Sequence, residues 1–377
     1  MKNIPLSYIE ISKDNLIHNI KCFQKIVRAG TKIACVVKAN AYGHGDKELV
    51  KILNPHAYYF QVNSIEEVRS IRPFTKKPIF LFGYVSASDI KEAILLNCIL
   101  TVFDFEHLLL INESARLLNV KAKVHIAVDS HLGREGIMPN DVEKFLIEIK
   151  KMKNIKIDGV YSHFANIEDT TDFSHAQKQI DTYKNAVDLF KKYGYKNIQT
   201  HISATSGVFV YEKWKGLNPI VRVGIGLYGL WPSVEIEKEW KKKINLKPIL
   251  KWVTHVAQVK TLPKGHSIGY GLTYITDRET IVAIIPQGYS NGFPRAFSNN
   301  AEVLIKGKRA PVLGRVMMNM FVVDVSHIKN VQSFDEVVIL GSQGKDCITA
   351  EELGLKSGTI NYEAVTRINP LLPRIIK

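Results

Sequence analysis

The chain has 377 residues, of which 46% are hydrophobic and 23% are charged, and this composition excludes an intrinsically disordered protein. Its 51 Lys and Arg residues outnumber its 36 Asp and Glu residues by 15, which raises a nucleic acid or an anionic membrane surface as a partner. However, only 12 of these cations are arginines, and the 39 lysines are spread over the whole chain. Base and phosphate recognition favour arginine, so the charge predicts a solvated surface and no nucleic-acid or membrane partner.

The start of the chain meets Pro5, Glu10 and Asp14 before any apolar stretch long enough for a signal peptide. No later apolar run approaches the eighteen or so residues that span a bilayer. The four cysteines lie far apart without a C-x-x-C pair, which suggests neither a disulfide framework nor a metal site. The sequence therefore predicts a cytoplasmic protein without a metal.

Eight short runs of apolar and β-branched residues recur through about residue 225, with helix-period segments between several of them. The runs are IACVV from Ile33, AYYFQV from Ala57, PIFLFG from Pro78, CILTVF from Cys98, AKVHIAV from Ala122, IDGVYSHF from Ile157, IQTHIS from Ile198 and PIVRVGI from Pro219. Apolar strands separated by helices indicate a parallel sheet covered on both faces. Eight units favour an α/β fold of the (β/α)8 TIM-type barrel over an open sheet, which periodicity alone does not exclude.

The pattern changes after the charged stretch EIEKEWKKK. Short strands punctuated by Gly, Pro and Asn follow, with no long helix before 349–353. This pattern is typical of an antiparallel β domain. We predict a boundary near 241–247, with an N-terminal barrel over 1–243 and a C-terminal, mainly antiparallel β domain over 244–377.

Lys38 follows the first apolar run directly and precedes a polar, glycine-containing turn. Active sites of barrels lie at the C-terminal ends of the strands, so this position favours a chemical role. The alternative is a lysine whose ammonium group simply reaches solvent at a strand end.

The segment RVGIGLYG contains a G-x-G-x-x-G pattern at Gly224, Gly226 and Gly229. A dinucleotide site would need a helix directly afterwards and an acid about twenty residues on, but Pro232 follows and 246–249 contains no acid. Backbone amides that approach a phosphate after strand eight explain these glycines better. The segment ATSG after strand seven supplies Thr205 and Ser206 as further donors for the same anion.

The segment VVKANAYGHG resembles the pyridoxal-phosphate lysine motif of the alanine racemases. Further stretches resemble the family in its own order, namely RVGIGLYG, IGYGLTY, GYSNGFPR, LGRVMMNM and TINYE. The resemblance implies pyridoxal 5'-phosphate as cofactor, an amino acid as substrate, and a homodimer with the active site at its interface. Two catalytic bases are implied: Lys38, which also carries the cofactor, and Tyr270 of the partner subunit.

The resemblance also implies the residues that bind the small molecules. Arg222 would face the pyridine nitrogen, and because arginine stays protonated it cannot hand that nitrogen a proton. Arg134 and the backbone amide of Met318 would hold the substrate carboxylate. The implied cofactor-binding set is Lys38, Tyr42, His163, Thr205, Ser206, Arg222, Gly224, Ile225 and Tyr362. For the two tyrosines and His163, a structural role is the alternative.

The chain departs from the family pattern at several positions. Ala127 stands seven residues before Arg134, where the family carries a lysine, often carbamylated, that steadies the arginine. The dipeptide 131–132, Asn291 and Asn319 replace a Gly-Met pair and two acids. These changes leave the choice of amino acid open.

The whole pattern predicts a racemase that interconverts L- and D-alanine for peptidoglycan precursors. A racemase of a larger or basic amino acid, such as lysine, arginine or serine, is the first alternative. A decarboxylase of the same architecture is less favoured, because a tyrosine stands where cysteine chemistry is expected. A non-catalytic cofactor carrier would need no second base, and a nucleic-acid-binding protein would bind DNA with a steep salt dependence.

Overall fold

The computed structural model describes residues 5–211 and 219–377. The eight runs predicted as strands are all strands, and a strand near the N-terminus and another at the C-terminus add to the predicted set. The strands are β1 (Tyr8–Ile11), β2 (Lys32–Val36), β3 (Phe60–Val62), β4 (Ile79–Leu81), β5 (Cys98–Val102), β6 (Ala122–Ala127), β7 (Ile155–Tyr161), β8 (Gln199–His201), β9 (Ile220–Val223), β10 (Leu250–His255), β11 (Gln258–Leu262), β12 (Ser267–Ile268), β13 (Tyr274–Ile275), β14 (Thr280–Ile285), β15 (Glu302–Ile305), β16 (Lys308–Leu313), β17 (Phe321–Asp324), β18 (Glu336–Gln343), β19 (Asp346–Ile348) and β20 (Arg374–Ile376).

Most α-helices lie between the strands of the first two thirds of the chain. They are α1 (Lys13–Ile26), α2 (Asp46–Leu53), α3 (Ile65–Ile71), α4 (Ile90–Leu95), α5 (Phe105–Leu117), α6 (Val142–Ile149), α7 (Ser174–Lys192), α8 (Thr205–Tyr211), α9 (Val234–Trp240), α10 (Ala350–Lys356) and α11 (Asn361–Thr366). Several begin where a short polar side chain caps the first turn: Ser64, Asp104, Ser233 and Thr349 each accept a bond from a backbone N–H three residues on.

The chain forms two compact units, and the larger comprises 17–41 and 49–247. Its strands form one parallel sheet in the order β8-β7-β6-β5-β4-β3-β2-β9. The amide of Arg222 on β9 donates to the carbonyl of Ser203, just after β8, and so bridges the two ends of the sheet. This arrangement confirms the predicted (β/α)8 barrel. Apolar and aromatic side chains fill its interior, as barrel packing requires.

The second unit comprises 1–16, 42–48 and 248–377. Its main sheet has the order β11-β14-β17-β16-β15-β18-β10-β1-β20, with β19 paired to β18. The pairs are antiparallel except for β1 and β20, which confirms the predicted antiparallel β domain. Its core includes the ring of Phe293 stacked on that of Phe321, with centroids 4.3 Å apart.

The two units are not the two continuous segments 1–243 and 244–377. The break at 247/248 lies near the expected boundary, but β1 belongs to the second unit because it pairs with β10 and β20. In the described ranges, no helix combines the length and apolarity needed to cross a membrane.

Candidate active site

Lys38 lies two residues beyond the end of β2, at the carboxyl end of the barrel strands. Burial lowers the pKa of its amine from the ordinary 10.5, and the charges of Arg134 and Arg222 lower it further. Glu67 and Glu135 oppose that effect. A lysine whose pKa is lowered in this way is more readily a neutral base or nucleophile than a surface lysine.

The chain after Lys38 turns in the left-handed helical region. Residues 39–42, none of them glycine, have φ between 52° and 54°. Such a conformation costs L-residues roughly 1–2 kcal/mol each, so surrounding contacts must hold it. Glu67 provides one of them, because its carboxylate accepts from the amide of Ala39 at 2.5 Å, while the amide of Asn63, which lies outside the turn, donates to its other oxygen at 2.6 Å.

Arg222 on β9 is 2% exposed. Its Nη2 donates to the carbonyl of Ser162 at 2.6 Å, to that of Ile202 at 2.8 Å, and to Nδ1 of His163 at 3.3 Å. Its guanidinium also lies over the ring of Tyr161, 5.5 Å from the centroid. The Nε atom is buried and has no hydrogen-bond partner among the described residues, so one strong donor remains for a ligand.

His163 follows the end of β7, and its Nδ1 accepts the bond from Arg222. Desolvation holds the pKa of its imidazole well below the ordinary 6.5, and the cations of Arg222, Arg134 and Lys38 lower it further. The ring is therefore neutral at physiological pH, with its proton on Nε2 because Nδ1 is the acceptor. Three cations, Arg222, Arg134 and Lys38, therefore lie within electrostatic reach of the neutral His163 at the strand ends.

Thr205 and Ser206 begin α8 and are both buried, but they have different partners. The hydroxyl of Thr205 accepts from the amide of Gly224 at 3.0 Å, which ties the ends of β8 and β9 together. The hydroxyl of Ser206 donates to the carboxylate of Glu168 at 2.6 Å. Burial raises the pKa of Glu168. Thr205 therefore contacts the glycine segment after β9, whereas the hydroxyl of Ser206 binds Glu168.

Gly224 and Ile225 lead into a 3-10 turn over Ile225–Tyr228. A side chain at Gly226 would place its Cβ 2.3 Å from the ring of Phe23 and 2.8 Å from the methyl of Thr205. Glycine is therefore required for the close approach of this turn to the barrel. Because there is no room for a side chain at Gly226, backbone atoms form the surface of the turn that follows β9.

Arg134 lies in the loop after β6, with its side chain 48% exposed. Its Nε donates to the neighbouring Glu135 at 2.5 Å and its Nη2 donates to the other oxygen of that carboxylate at 2.9 Å. The guanidinium also lies over the ring of Phe82, 5.7 Å from the centroid. The charge of Arg134 lowers the pKa of both Lys38 and His163, so its guanidinium lies within electrostatic reach of these two residues.

Tyr42 and Tyr362 lie in the second unit. Their rings approach each other with centroids 6.1 Å apart at an angle of 50°. The two predicted cofactor tyrosines, 320 positions apart in the chain, are therefore brought together. Tyr362 lies on α11, and Tyr42 lies at the end of the left-handed turn.

Tyr270 and Met318, also in the second unit, line one cavity of about 590 Å³. Tyr289, Arg295 and Arg315 complete much of its wall. Tyr270 is 72% exposed and sits between two glycines of φ 72°, in a turn packed against Arg315. The carbonyl of Met318 accepts from the amide and the hydroxyl of Ser290. The predicted second base and the predicted carboxylate contact therefore share one open surface.

Comparison with known proteins matches two family models to nearly the whole chain. The model described as "Alanine racemase, N-terminal domain" matches residues 11–232, and "Alanine racemase, C-terminal domain" matches 249–376. The chain belongs to the alanine racemase family. It is 34% identical to the alanine racemase of Leptospira interrogans, covering 100% of this chain and 97% of that protein, and 37% identical to that of Halothermothrix orenii, covering 98% and 97%. The solved alanine racemase of Clostridium difficile superposes with a TM-score of 0.93 at 31% identity, covering 100% and 97% of the two chains.

Family membership confirms the resemblance on which the expected chemistry rests. The protein is an isomerase of a family that uses pyridoxal phosphate. The described residues fit that group by their own geometry. The unpartnered Nε of Arg222 suits a ring nitrogen, and the close backbone turn after β9 with Thr205 suits a phosphate. The three cations Lys38, Arg134 and Arg222 outnumber the two carboxylates of Glu67 and Glu135 that act on Lys38, which favours an anionic ligand.

The departures from the alanine racemase pattern have local structural explanations. Ala127 is 1% exposed and packs in an aromatic and aliphatic cluster, so this position itself contributes no charge. The side-chain oxygen of Asn291 accepts from the amide of Gly288 at 3.0 Å, and the amide of Asn319 donates to the hydroxyl of Ser290 at 2.9 Å. Uncharged amides therefore stabilise the two loops in which the family carries acids.

Three acids near the predicted residues escaped the sequence-based reasoning. Glu67 stands three residues after Ser64, a capping-box spacing that signals a carboxylate directed at nearby backbone amides. Glu135 is adjacent to Arg134, which is a weaker signal because neighbouring opposite charges are common on surfaces. Glu168 carried no local signal, since its bond to Ser206 joins positions 38 apart.

Proposed function

We propose that this isomerase interconverts L-alanine and D-alanine, using Lys38 and the partner subunit's Tyr270 as the two bases. The observation that carries the proposal is the charge cluster at the strand ends. There a lysine of lowered pKa lies within the electrostatic reach of two arginines and a neutral histidine. The relatives named alanine racemase support alanine as the substrate.

Racemisation requires that a proton leave Cα from one face and that another return to the opposite face. Pyridoxal phosphate, when bound, supplies the electron-withdrawing ring that makes the Cα proton acidic enough to remove. Lys38 would hold the cofactor covalently and, once released, accept or return the proton on its own face through Nζ. Its lowered pKa serves this role, since an ordinary lysine amine is almost fully protonated at neutral pH.

Arg222 would bind the pyridine nitrogen through Nε while its Nη2 stays anchored to the barrel carbonyls. Since guanidinium keeps its proton at neutral pH, this residue can donate a hydrogen bond without transferring a proton. Through Nη2 it also fixes the tautomer of His163, whose Nε2–H is then the donor available to the second base. Thr205, Ser206, Gly224, Ile225, Tyr42 and Tyr362 are the groups proposed to hold the phosphate. To donate to it, Ser206 and the amide of Gly224 would have to exchange their present bonds to Glu168 and Thr205.

Tyr270 would face the substrate of the partner subunit, so the enzyme would work as a homodimer. Its 72% exposure, together with the open cavity it shares with Met318, supports a role at a surface that a partner covers. The substrate carboxylate would bind Arg134 and the backbone amide of Met318. A guanidinium matches a carboxylate with two parallel hydrogen bonds, which orients the amino acid.

The test is incubation of the holoenzyme with single enantiomers of alanine, lysine, arginine and serine, followed by chiral chromatography. D-alanine from L-alanine, and the reverse, is the expected result. Turnover of lysine, arginine or serine without alanine would contradict the substrate assignment. Borohydride reduction followed by peptide mapping should find the cofactor on Lys38, and a label on another lysine would contradict the site.

We further propose that the enzyme acts in the cytoplasm and that its D-alanine supplies peptidoglycan precursors. The four cysteines are free, two of them buried, which suits a reducing compartment. Burial raises the pKa of the Cys35 and Cys98 thiols to about 12, so these two are inert. Fractionation with a tagged chain would test the location.

A further inference from the structure

We propose that Glu135 is a positioning residue that orients Arg134 toward the substrate carboxylate, an inference that rests on the proposed function of Arg134. Glu135 takes both hydrogen bonds along one edge of the guanidinium, at 2.5 Å to Nε and 2.9 Å to Nη2. A paired edge leaves the opposite edge of the fork, formed by Nη1 and the second hydrogen of Nη2, for a second carboxylate.

The loop that carries both residues is tied down at its base. Asp129 accepts from the amides of Leu132 at 2.8 Å and Gly133 at 3.1 Å. The amide of Asp129 donates to the carbonyl of Ile137, whose own amide donates to the carbonyl of Ala127. The backbone on either side of the pair is therefore fixed, and the remaining freedom lies in the long Arg134 side chain.

The barrel below offers Arg134 no anion from β6. Ala127 is buried with Tyr59, Phe80 and Tyr161, and the partly buried Phe82 packs against this cluster. The guanidinium lies over the Phe82 ring, so its lower face contacts an aromatic surface instead of a charge. Of the described residues, Glu135 is the acid that forms an ion pair with Arg134.

Glu135 also limits the accumulated positive charge. Its carboxylate raises the pKa of Lys38, whereas Arg134 lowers it. At 25% exposure, the Glu135 side chain is shielded more than its 48% exposed partner, which strengthens the pair relative to an open surface. The same carboxylate therefore holds the arginine in place and balances part of its charge.

The test compares Glu135→Gln and Glu135→Asp with the wild-type holoenzyme. Propionate, which carries the carboxylate and methyl of alanine without the amine, serves as a probe of carboxylate binding. In Glu135→Gln we expect KM for both enantiomers, and the calorimetric Kd for propionate, to rise roughly three- to tenfold, with kcat within about twofold. Glu135→Asp keeps the charge on a shorter side chain, so its KM and Kd should lie between those of the wild type and those of Glu135→Gln.

Glu113→Gln is the matched control, because Glu113 binds Arg116 through the same two-bond geometry, at 2.7 and 2.6 Å, on the exposed face of α5. It should leave all three quantities unchanged. An unchanged or lower KM and Kd in Glu135→Gln would overturn the proposal, and a lower value would show that Glu135 competes with the substrate for Arg134. Absence of alanine racemisation by the wild type would contradict the proposed function instead, while the propionate titration still tests the pair.

Discussion

Replacing Arg222 with lysine separates the structural from the chemical part of its role. Lysine keeps the positive charge but loses the planar fork, so it cannot serve the carbonyls of Ser162 and Ile202 while also presenting Nε. One charge-assisted bond to a buried carbonyl is lost, at about 1.5–3 kcal/mol. The contact with the face of Tyr161 adds about 0.5–1 kcal/mol. We therefore expect Arg222→Lys to lower the free energy of unfolding by about 2–4 kcal/mol.

Urea unfolding measures this loss, and hydrogen exchange of the β9 amides assigns it to the barrel unit. The control is Arg72→Lys, because Nη1 of Arg72 also donates to two carbonyls, those of Thr75 and Lys77, each at 2.9 Å. Arg72→Lys should lower the free energy of unfolding by about 1–3 kcal/mol and leave kcat unchanged. Arg222→Lys should in addition lower kcat about 10²-fold, which is the effect expected when one preorganised donor is removed. A loss below about 1 kcal/mol in Arg222→Lys, with kcat unchanged, would refute the reasoning.

Three further outcomes are expected. Tyr270→Phe should fold normally, because the side chain is 72% exposed. It should racemise alanine about 10²–10⁴-fold more slowly in both directions, while Lys38 still exchanges the Cα proton of one enantiomer with deuterium. Equal loss of this exchange from both enantiomers would argue against two separate bases. In the apoenzyme, Lys38 should react with trinitrobenzenesulfonate at a lower pH midpoint than bulk lysines, since burial lowers the pKa of its amine, and a midpoint shared with surface lysines would contradict this. Burial lowers the pKa of His125 and that of its hydrogen-bonded neighbour His201, so the unfolded chain binds more protons than the folded chain below pH 6.5. The free energy of unfolding should therefore fall from pH 6.5 toward pH 4, and His125→Asn should flatten that slope.

Local sequence patterns determined the strands of the barrel and the position of its lysine. Several of these strands, namely β3, β4, β5 and β9, are buried along their whole length, so they are apolar on both faces and can be recognised without knowledge of their neighbours. The strands β7 and β8 are only partly buried. Lys38 was found for the same reason, because a cation directly after such a run must lie at the end of a strand.

Only the tertiary structure decided how distant segments combine. The strand Tyr8–Ile11 is four residues long and belongs to the second unit because it pairs with β10 and β20, which lie more than 230 positions away. The sequence of such a short strand does not indicate which strands it pairs with. The left-handed turn after Lys38 contradicts the local preference of alanine and tyrosine for other regions, and contacts such as the bond from the amide of Ala39 to Glu67 hold it. Composition also does not show which side chains from distant positions form hydrogen bonds. From the sequence Ser206 is expected to donate to an anion, and in the structure its hydroxyl donates to Glu168. Ala127 offers no charge to Arg134, whose guanidinium binds the carboxylate of Glu135.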